Sequence, residues 1–410
     1  MTIPEYLRRH LAQSLAIMAI TTASGSGTTL LAPYLRDLGK DPVAIGALVG
    51  VPAIVSLLIR IPGGLLYSPG RARPLLGGAL ILGSLGFVLY PVTADSLLLA
   101  LIGAIYGIGY SIATTVSMAV TIESLRPGEN RGQAIGIYAA GMSTGYALGS
   151  LVGGLAGDNL GFAGAFRLAA GLFLVAMLPM LVDRSAPTTQ EPPPPAGVVE
   201  AVRPAQPWRR AQSFALALLD PTLIFIILGA FFLNVYLTQF NTFFPLTLLP
   251  LGFSLAQIGL IRTAWSLTNT VGRSFGGPVL NMLGHTRAQH ASLVLQAVML
   301  MLFALPLPLA LYLVVTVVAA SGRAICFVAN TVSLADIDPA RVSRGVASGV
   351  MNAAGDLGNI AGPVTGGFIA RAVGLQDFWL ISPPLYLVIY FGLLLALRRR
   401  EFLRRVPAAV

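Results

Sequence analysis

The chain has 410 residues, of which 55% are hydrophobic and 10% charged, with a mean hydropathy of +0.79. That composition excludes an ordinary soluble domain. The single cysteine, Cys326, excludes an internal disulfide and a cysteine-based metal cluster, while the net charge of +10 raises nucleic acid or acidic lipid as partners until its distribution is read.

Residues 1–11 form a short basic arm with Arg8 and Arg9. The apolar run from Leu11 to about Leu35 is too long for the core of a signal peptide, and no cleavage site is evident, so it reads as a first spanning helix. Apolar runs recur at about 43–66, 74–93, 97–122, 133–156 and 162–182. Each can cross a hydrocarbon core about 30 Å thick at about 1.5 Å per residue. Residues 183–213, with Pro192 to Pro195, Glu191, Glu200, Arg203, Arg209 and Arg210, have no hydrophobic period and read as a polar linker. Further runs follow at about 222–249, 254–278, 289–307, 310–335, 345–369 and 377–397. The expected fold is an all-α membrane protein of twelve helices. It has an N-terminal six-helix bundle over 1–182, a cytoplasmic Pro-rich linker over 183–213 and a C-terminal six-helix bundle over 214–410.

The arginines set the orientation. With the termini and linker inside, the inner segments hold Arg8, Arg9, Arg71, Arg73, Arg126, Arg131, Arg184, Arg209, Arg287, Arg344 and the run Arg398 to Arg400. The outer ones hold Arg36, Lys40, Arg167 and Arg371. This positive-inside bias places both termini in the cytoplasm, with the chain in a bacterial-type inner membrane. The net charge is therefore a topology signal and not a nucleic-acid footprint, and contact of the C-terminal arginines with anionic headgroups is secondary.

The two halves repeat at an offset of 213 positions. Gly136, Gly145, Gly149, Gly153 and Gly154 correspond to Gly349, Gly358, Gly362, Gly366 and Gly367, and Arg60 and Gly63 to Arg273 and Gly276. A membrane protein built of two parallel repeats points to a transporter. Within Gly349 to Gly367, Gly355, Gly358, Gly362 and Gly366 share one helical face, which lets another backbone come close, while Asn352, Asp356 and Asn359 form a polar face beside it. Gly, eight residues, Gly, three residues, Gly-Pro, two residues, Gly-Gly resembles the antiporter motif of the major facilitator superfamily. It is complete at Gly349 to Gly367, with Pro363, and repeats at Gly136 to Gly154 with Ser150 in place of the proline. The resemblance covers nearly the whole chain and implies that family's fold, two six-helix bundles related by a pseudo-two-fold axis. The 2–3 loop, with Gly63, Gly70, Arg71 and Arg73, resembles the family's cytoplasmic gating motif but has Tyr67 where an aspartate is expected. The rival reading is that these arginines only set topology.

Four arginines fall within spans. Arg60 and Arg273 lie near cytoplasmic ends and are expected to snorkel. Arg262 lies nearer the outer end of helix 8. Arg323 sits near the middle of helix 10, and Asp356 is similarly deep in helix 11. A charge at that depth costs about 3 kcal/mol or more, so the two are expected to pair or to face water, as a structural pair or as a substrate and proton site. The family's arrangement, with helices 1, 4, 7 and 10 lining the cavity, favours water. Asn234, Thr238 and Asn241 make one stripe on helix 7, and Arg323, Phe327 and Asn330 share a face of helix 10. Asn352, Tyr110, and Arg262 with Asn269 and Arg273 on helix 8 complete the polar set. Any one amide or hydroxyl is explained by interhelical hydrogen bonding alone. The N-terminal half supplies no charge at mid-membrane, so charge recognition is expected in the second half.

Gly141-Met-Ser143-Thr-Gly145 matches a nucleophile elbow, but no strand precedes it and no histidine is in reach. Gly107-Ile-Gly109 lacks the rest of a dinucleotide fingerprint. Neither supports an enzyme. The expectation is a secondary transporter of a small molecule, moved by alternating access across the inner membrane. It is read as proton-coupled efflux by antiport, with no cofactor beyond the proton gradient, as a monomer in the lipid bilayer. Asp356 is the proton carrier, and the motif is taken to pack helices 5 and 11 against the opposite half. The alternatives are an uncoupled carrier of organic or phosphate-bearing anions built on Arg323, and a non-transporting sensor on the same fold. Aromatic content of 8% gives no evident cage for cationic drugs.

Overall fold

The computed structural model describes residues 5–65, 68–124, 131–178, 221–337 and 344–405; the linker expected over 183–213 lies outside them. In chain order the helices are α1 (Glu5–Asp37), α2 (Pro42–Leu65), α3 (Ala72–Leu89) and α4 (Ser96–Glu123). A helical run Arg131–Val175 is broken at Gly161, whose φ of 66° and ψ of 176° are non-helical, so it counts as α5 before that residue and α6 after it. Then come α7 (Pro221–Leu248), α8 (Leu255–Leu283), α9 (His285–Met301), α10 (Leu309–Ser333), α11 (Arg344–Val373) and α12 (Phe378–Arg405). Among the described residues the count is thus twelve, with no strand.

The repeat is visible in the turns. Gly39 and Gly252 have φ of 73° and 86°, and Gly161 and Gly374 have 66° and 86°. Each pair is separated by the same 213 positions, and glycine enters this left-handed region without a Cβ penalty. Caps mark the helix starts: Asp95 accepts from the amides of Leu97 and Leu98 at 2.9 Å, and Ser254 forms a capping box with Gln257.

Composition explains which helices are visible to hydropathy. Eight of the helices, together with the α5–α6 run, are long and apolar enough to cross a membrane among the described residues. The two left out are α8, with Arg262, Asn269 and Arg273, and α11, with Asp356, Asn352 and Asn359 among its glycines. They are amphipathic because one side faces polar partners. On the perimeter, Leu58, Ile81, Val92, Phe275, Phe368 and Val388 are exposed apolar side chains, as lipid contact requires.

Each half has an aromatic centre. In the first, Phe87 of α3 packs on Tyr106 of α4 at 4.6 Å and on Phe173 of α6 at 5.7 Å. In the second, Phe240 of α7 stacks on Trp265 of α8 at 4.3 Å and reaches Phe303 after α9 at 5.7 Å. Interlocked rings make each half a unit that can move as a body.

The motif glycines refine one expectation. Gly145, Gly149 and Gly153 face α1, against Met18, Thr22 and Ser26, while Gly358 and Gly362 face α7, against Phe231 and Val235. These contacts lie within a half, not between halves. The opposite half is met one position on, where the helix has turned by about 100°. Gly154 faces the backbone of Leu255, and its mate Gly367 that of Pro42 and Val43. Likewise Gly46 of α2 faces the carbonyl of Pro363, and its mate Gly259 the carbonyl of Ser150. The motif therefore binds α5 to α1 and α11 to α7 through its glycine face, and its neighbouring positions pack α5 on α8 and α11 on α2 across the seam.

Candidate functional site

At the loop end formed by residues 37–41 and 249–254 the two halves are joined closely. Asp158, at the end of α5, accepts from the amides of Leu255 and Ala256 at 2.9 Å each, so a carboxylate of one half caps a helix of the other. The mirrored position in the repeat is Arg371, which lies 3.5 Å from Asp41, the residue that in turn accepts from the Ala44 amide at the start of α2. Arg36 of α1 donates to the carbonyl of Leu246 in α7. Thr263 of α8 donates to the Ala147 carbonyl of α5 at 2.7 Å. Arg262 is 6% exposed and donates to the carbonyls of Thr28 and Asn241 at 3.4 and 3.3 Å, one in each half and themselves repeat-mates. It is a strut across the seam.

Deeper lies a cavity of about 180 Å³. Its walls are Ala230, Leu233 and Asn234 of α7, Phe327 and Asn330 of α10, Met351, Asn352, Gly355, Asp356 and Asn359 of α11, and Arg60 of α2. Arg60 donates to the Asp356 carboxylate at 2.8 Å, across 296 positions of sequence and between the halves. This overturns three expectations. Arg60 is not only an anchor at a helix end: half-exposed, it reaches a carboxylate of the opposite half. The N-terminal half does supply a charge to the cavity wall. Asp356 pairs with Arg60 and not with Arg323.

Arg323 is 7% exposed and lies behind the wall. Its guanidinium donates to the Leu233 carbonyl at 2.5 Å and to Asn234 Oδ1 at 3.2 Å. Asn234 in turn donates to the Ala230 carbonyl at 2.8 Å and covers Gly355. Helix α7 thus intervenes between the two residues that sequence depth alone had paired. The guanidinium of Arg273 sits 4.2 Å from the centroid of Phe327, a cavity-wall ring.

The other expected residues divide. Asn330 and Asn352 line the cavity with Asp356. Asn330 is 2% exposed and its Oδ1 has no partner among the described residues. Thr238 bonds back to the Asn234 carbonyl at 2.9 Å and packs on Gly362, and Asn241 gives its carbonyl to Arg262, so both serve packing. Tyr110 meets Tyr146 hydroxyl to hydroxyl in the N-terminal half. Asn269 is half-buried with an unpartnered Oδ1. Of the loop set, Gly63 closes α2, while Gly70, Arg71 and Arg73 are exposed around the short turn Pro69–Arg71; Tyr67 lies outside the described residues. Phe327 and Asn359 were legible as members of polar faces without being singled out as site residues. Asp158 and Asp41 carried a usable signal, since their repeat-mates Arg371 and Ser254 occupy the same two ends.

A profile of the Major Facilitator Superfamily matches residues 14–254 and 224–409. Monocarboxylate transporter 13 of Rattus norvegicus is 31% identical over 148 residues, 36% of this chain and 34% of its own length. The multidrug resistance protein MdtH of Aeromonas hydrophila is 30% identical over 145 residues, 35% of this chain and 36% of its own length. The chain thus spans about a third of the length of the curated relatives it matches. Among solved structures, a mutant of the nucleoside transporter NupG aligns with a TM-score of 0.76 at 19% identity over 95% of this chain and 99% of its own. A bacterial homologue of the human lysosomal transporter Spinster, inward-facing and unoccupied, aligns at 0.75 and 19% over 100% of both chains. At those identities the likeness speaks to the fold. With the profile matched across both halves of a helical repeat, the chain belongs to the Major Facilitator Superfamily and is a multi-pass membrane protein.

Proposed function

We propose that the protein is a proton-coupled secondary transporter in which Asp356 carries the proton and alternates between Arg60 and its protonated form. The observation that supports this most is the ion pair at 2.8 Å, which joins the two halves in the wall of the cavity. Protonation of Asp356 removes one charge, releases Arg60, and loosens the halves at that level, so proton occupancy and the relative position of the bundles become linked. Close packing at the 37–41 and 249–254 end, with the orientation read from the arginines, makes this an inward-facing arrangement. The transporter works in the cytoplasmic membrane as a monomer, with both termini inside. It acts as a carrier and not an enzyme, on a small molecule and not nucleic acid, and needs no cofactor beyond the proton gradient.

The motif resemblance implies efflux by antiport. Its glycines serve helix packing within and between the halves, so the sign of coupling falls to the chemistry of the cavity. The names of the partial relatives, a monocarboxylate transporter and a multidrug resistance protein, carry two different substrate classes. The second reading, uncoupled anion exchange by direct contact with Arg323, is weakened because that guanidinium is already engaged by Leu233 and Asn234. The test is flux in proteoliposomes under an imposed pH gradient. Asp356→Asn should abolish gradient-driven accumulation while leaving equilibrative exchange. Unchanged gradient-driven accumulation refutes the proposal.

A further inference from the structure

The fixed charges around the cavity do not balance. Arg60 lines it, Arg323 stands one residue behind it at Asn234, and Arg273 stands one ring behind it at Phe327. Asp356 is the one carboxylate in its wall among the described residues. Arg323 and Arg273 are near enough to repel one another, and Arg273 Nε is buried without a partner. A surplus of positive charge beside a cavity attracts an anion.

We infer that the substrate is a small organic anion, and that it binds together with the proton. The anion is met by Arg60 in the field of Arg273 and Arg323. The cooperation follows from the pair: while Asp356 is ionised it competes with the anion for Arg60, and once protonated it releases that guanidinium. The charged and titratable groups about Asp356 are Arg60 of α2, Arg323 of α10 behind Asn234, and Tyr146 of α5 on the side of Arg60. No second carboxylate among them supplies the opposite sign of coupling. A carrier whose anion and proton bind together moves both in one direction, which is symport and not the antiport implied by the motif. The anion assignment rests on the charge surplus alone; the coupling sign rests also on Asp356 as proton carrier.

The experiment is a binding titration on the purified full-length protein. The probes are small hydroxy-monocarboxylates, phosphate monoesters of similar size, and the neutral amide and cationic amine analogues of the same acids, each at pH 5.5 and 7.5. The expected result is binding of one anionic series, at least tenfold tighter at the lower pH, with amides and amines at least tenfold weaker. Arg273→Gln and Arg60→Gln should each weaken anion binding about tenfold or more. Asp356→Asn should bind at both pH values as wild type does at the lower. Amides or amines binding as well as the anions, no binding by either anionic series, or unaltered binding in both arginine variants overturns the anion assignment. Anion binding that ignores pH in wild type overturns the proton coupling and leaves the anion assignment standing. If Arg60→Gln fails to fold, Arg60→Lys keeps the charge and should retain most of the affinity.

Discussion

The Arg60–Asp356 pair can be weighed directly. With nitrogen and oxygen 2.8 Å apart, the charge centres lie about 4 Å from one another. Their attraction is about 4 kcal/mol at an effective dielectric of about 20 and about 1 kcal/mol in bulk water. The side chains are 47% and 19% exposed, so water screens the pair and the value falls toward roughly 1–2 kcal/mol. A double-mutant cycle of wild type, Arg60→Gln, Asp356→Asn and both together, followed by reversible unfolding in micelles, should therefore give a coupling energy of about 1–2 kcal/mol. Each single change strands one charge in the cavity, whereas the double change removes both, so the double variant should be more stable than the sum of the singles predicts. Additivity within about 0.3–0.5 kcal/mol would mean that the two side chains do not sense each other, and the mechanism built on them would fail.

Further outcomes follow from the seam and the glycine faces. Asp158→Ala removes a carboxylate from the amides of Leu255 and Ala256 and should cost about 1 kcal/mol, read as a shift toward the outward-open state in spin-label distances between residues on α2 and α8. Arg371→Ala should move the same distances less, because its pair with Asp41 is mostly exposed. Gly362→Leu should prevent a stable fold, since even a Cβ there meets the carbonyl of Val235 at 2.8 Å and the Thr238 side chain, while Gly136→Ala, with nothing within 4 Å, should leave yield and melting temperature unchanged. Arg262→Gln should raise the rate of outer-side labelling of the cavity, as the buried strut to Thr28 is weakened; equal labelling rates would rule out that role.

Twelve helices, a doubled architecture and a glycine face on α11 were all readable along the chain, because each depends on local periods: runs long enough for a bilayer, an offset of 213, and small residues every three or four positions. Position along each helix was readable too, since it follows from counting residues to the nearest loop. Azimuth was not. Arg323 and Asp356 both stand well inside their helices, yet α7 lies between them, and Arg60 stands near the end of α2 although its side chain reaches Asp356 of the other half. A helical face can be named from spacing, but which neighbour it meets depends on how twelve helices cross and rotate around one another. That arrangement is fixed by packing over hundreds of residues of separation, where no local period carries information.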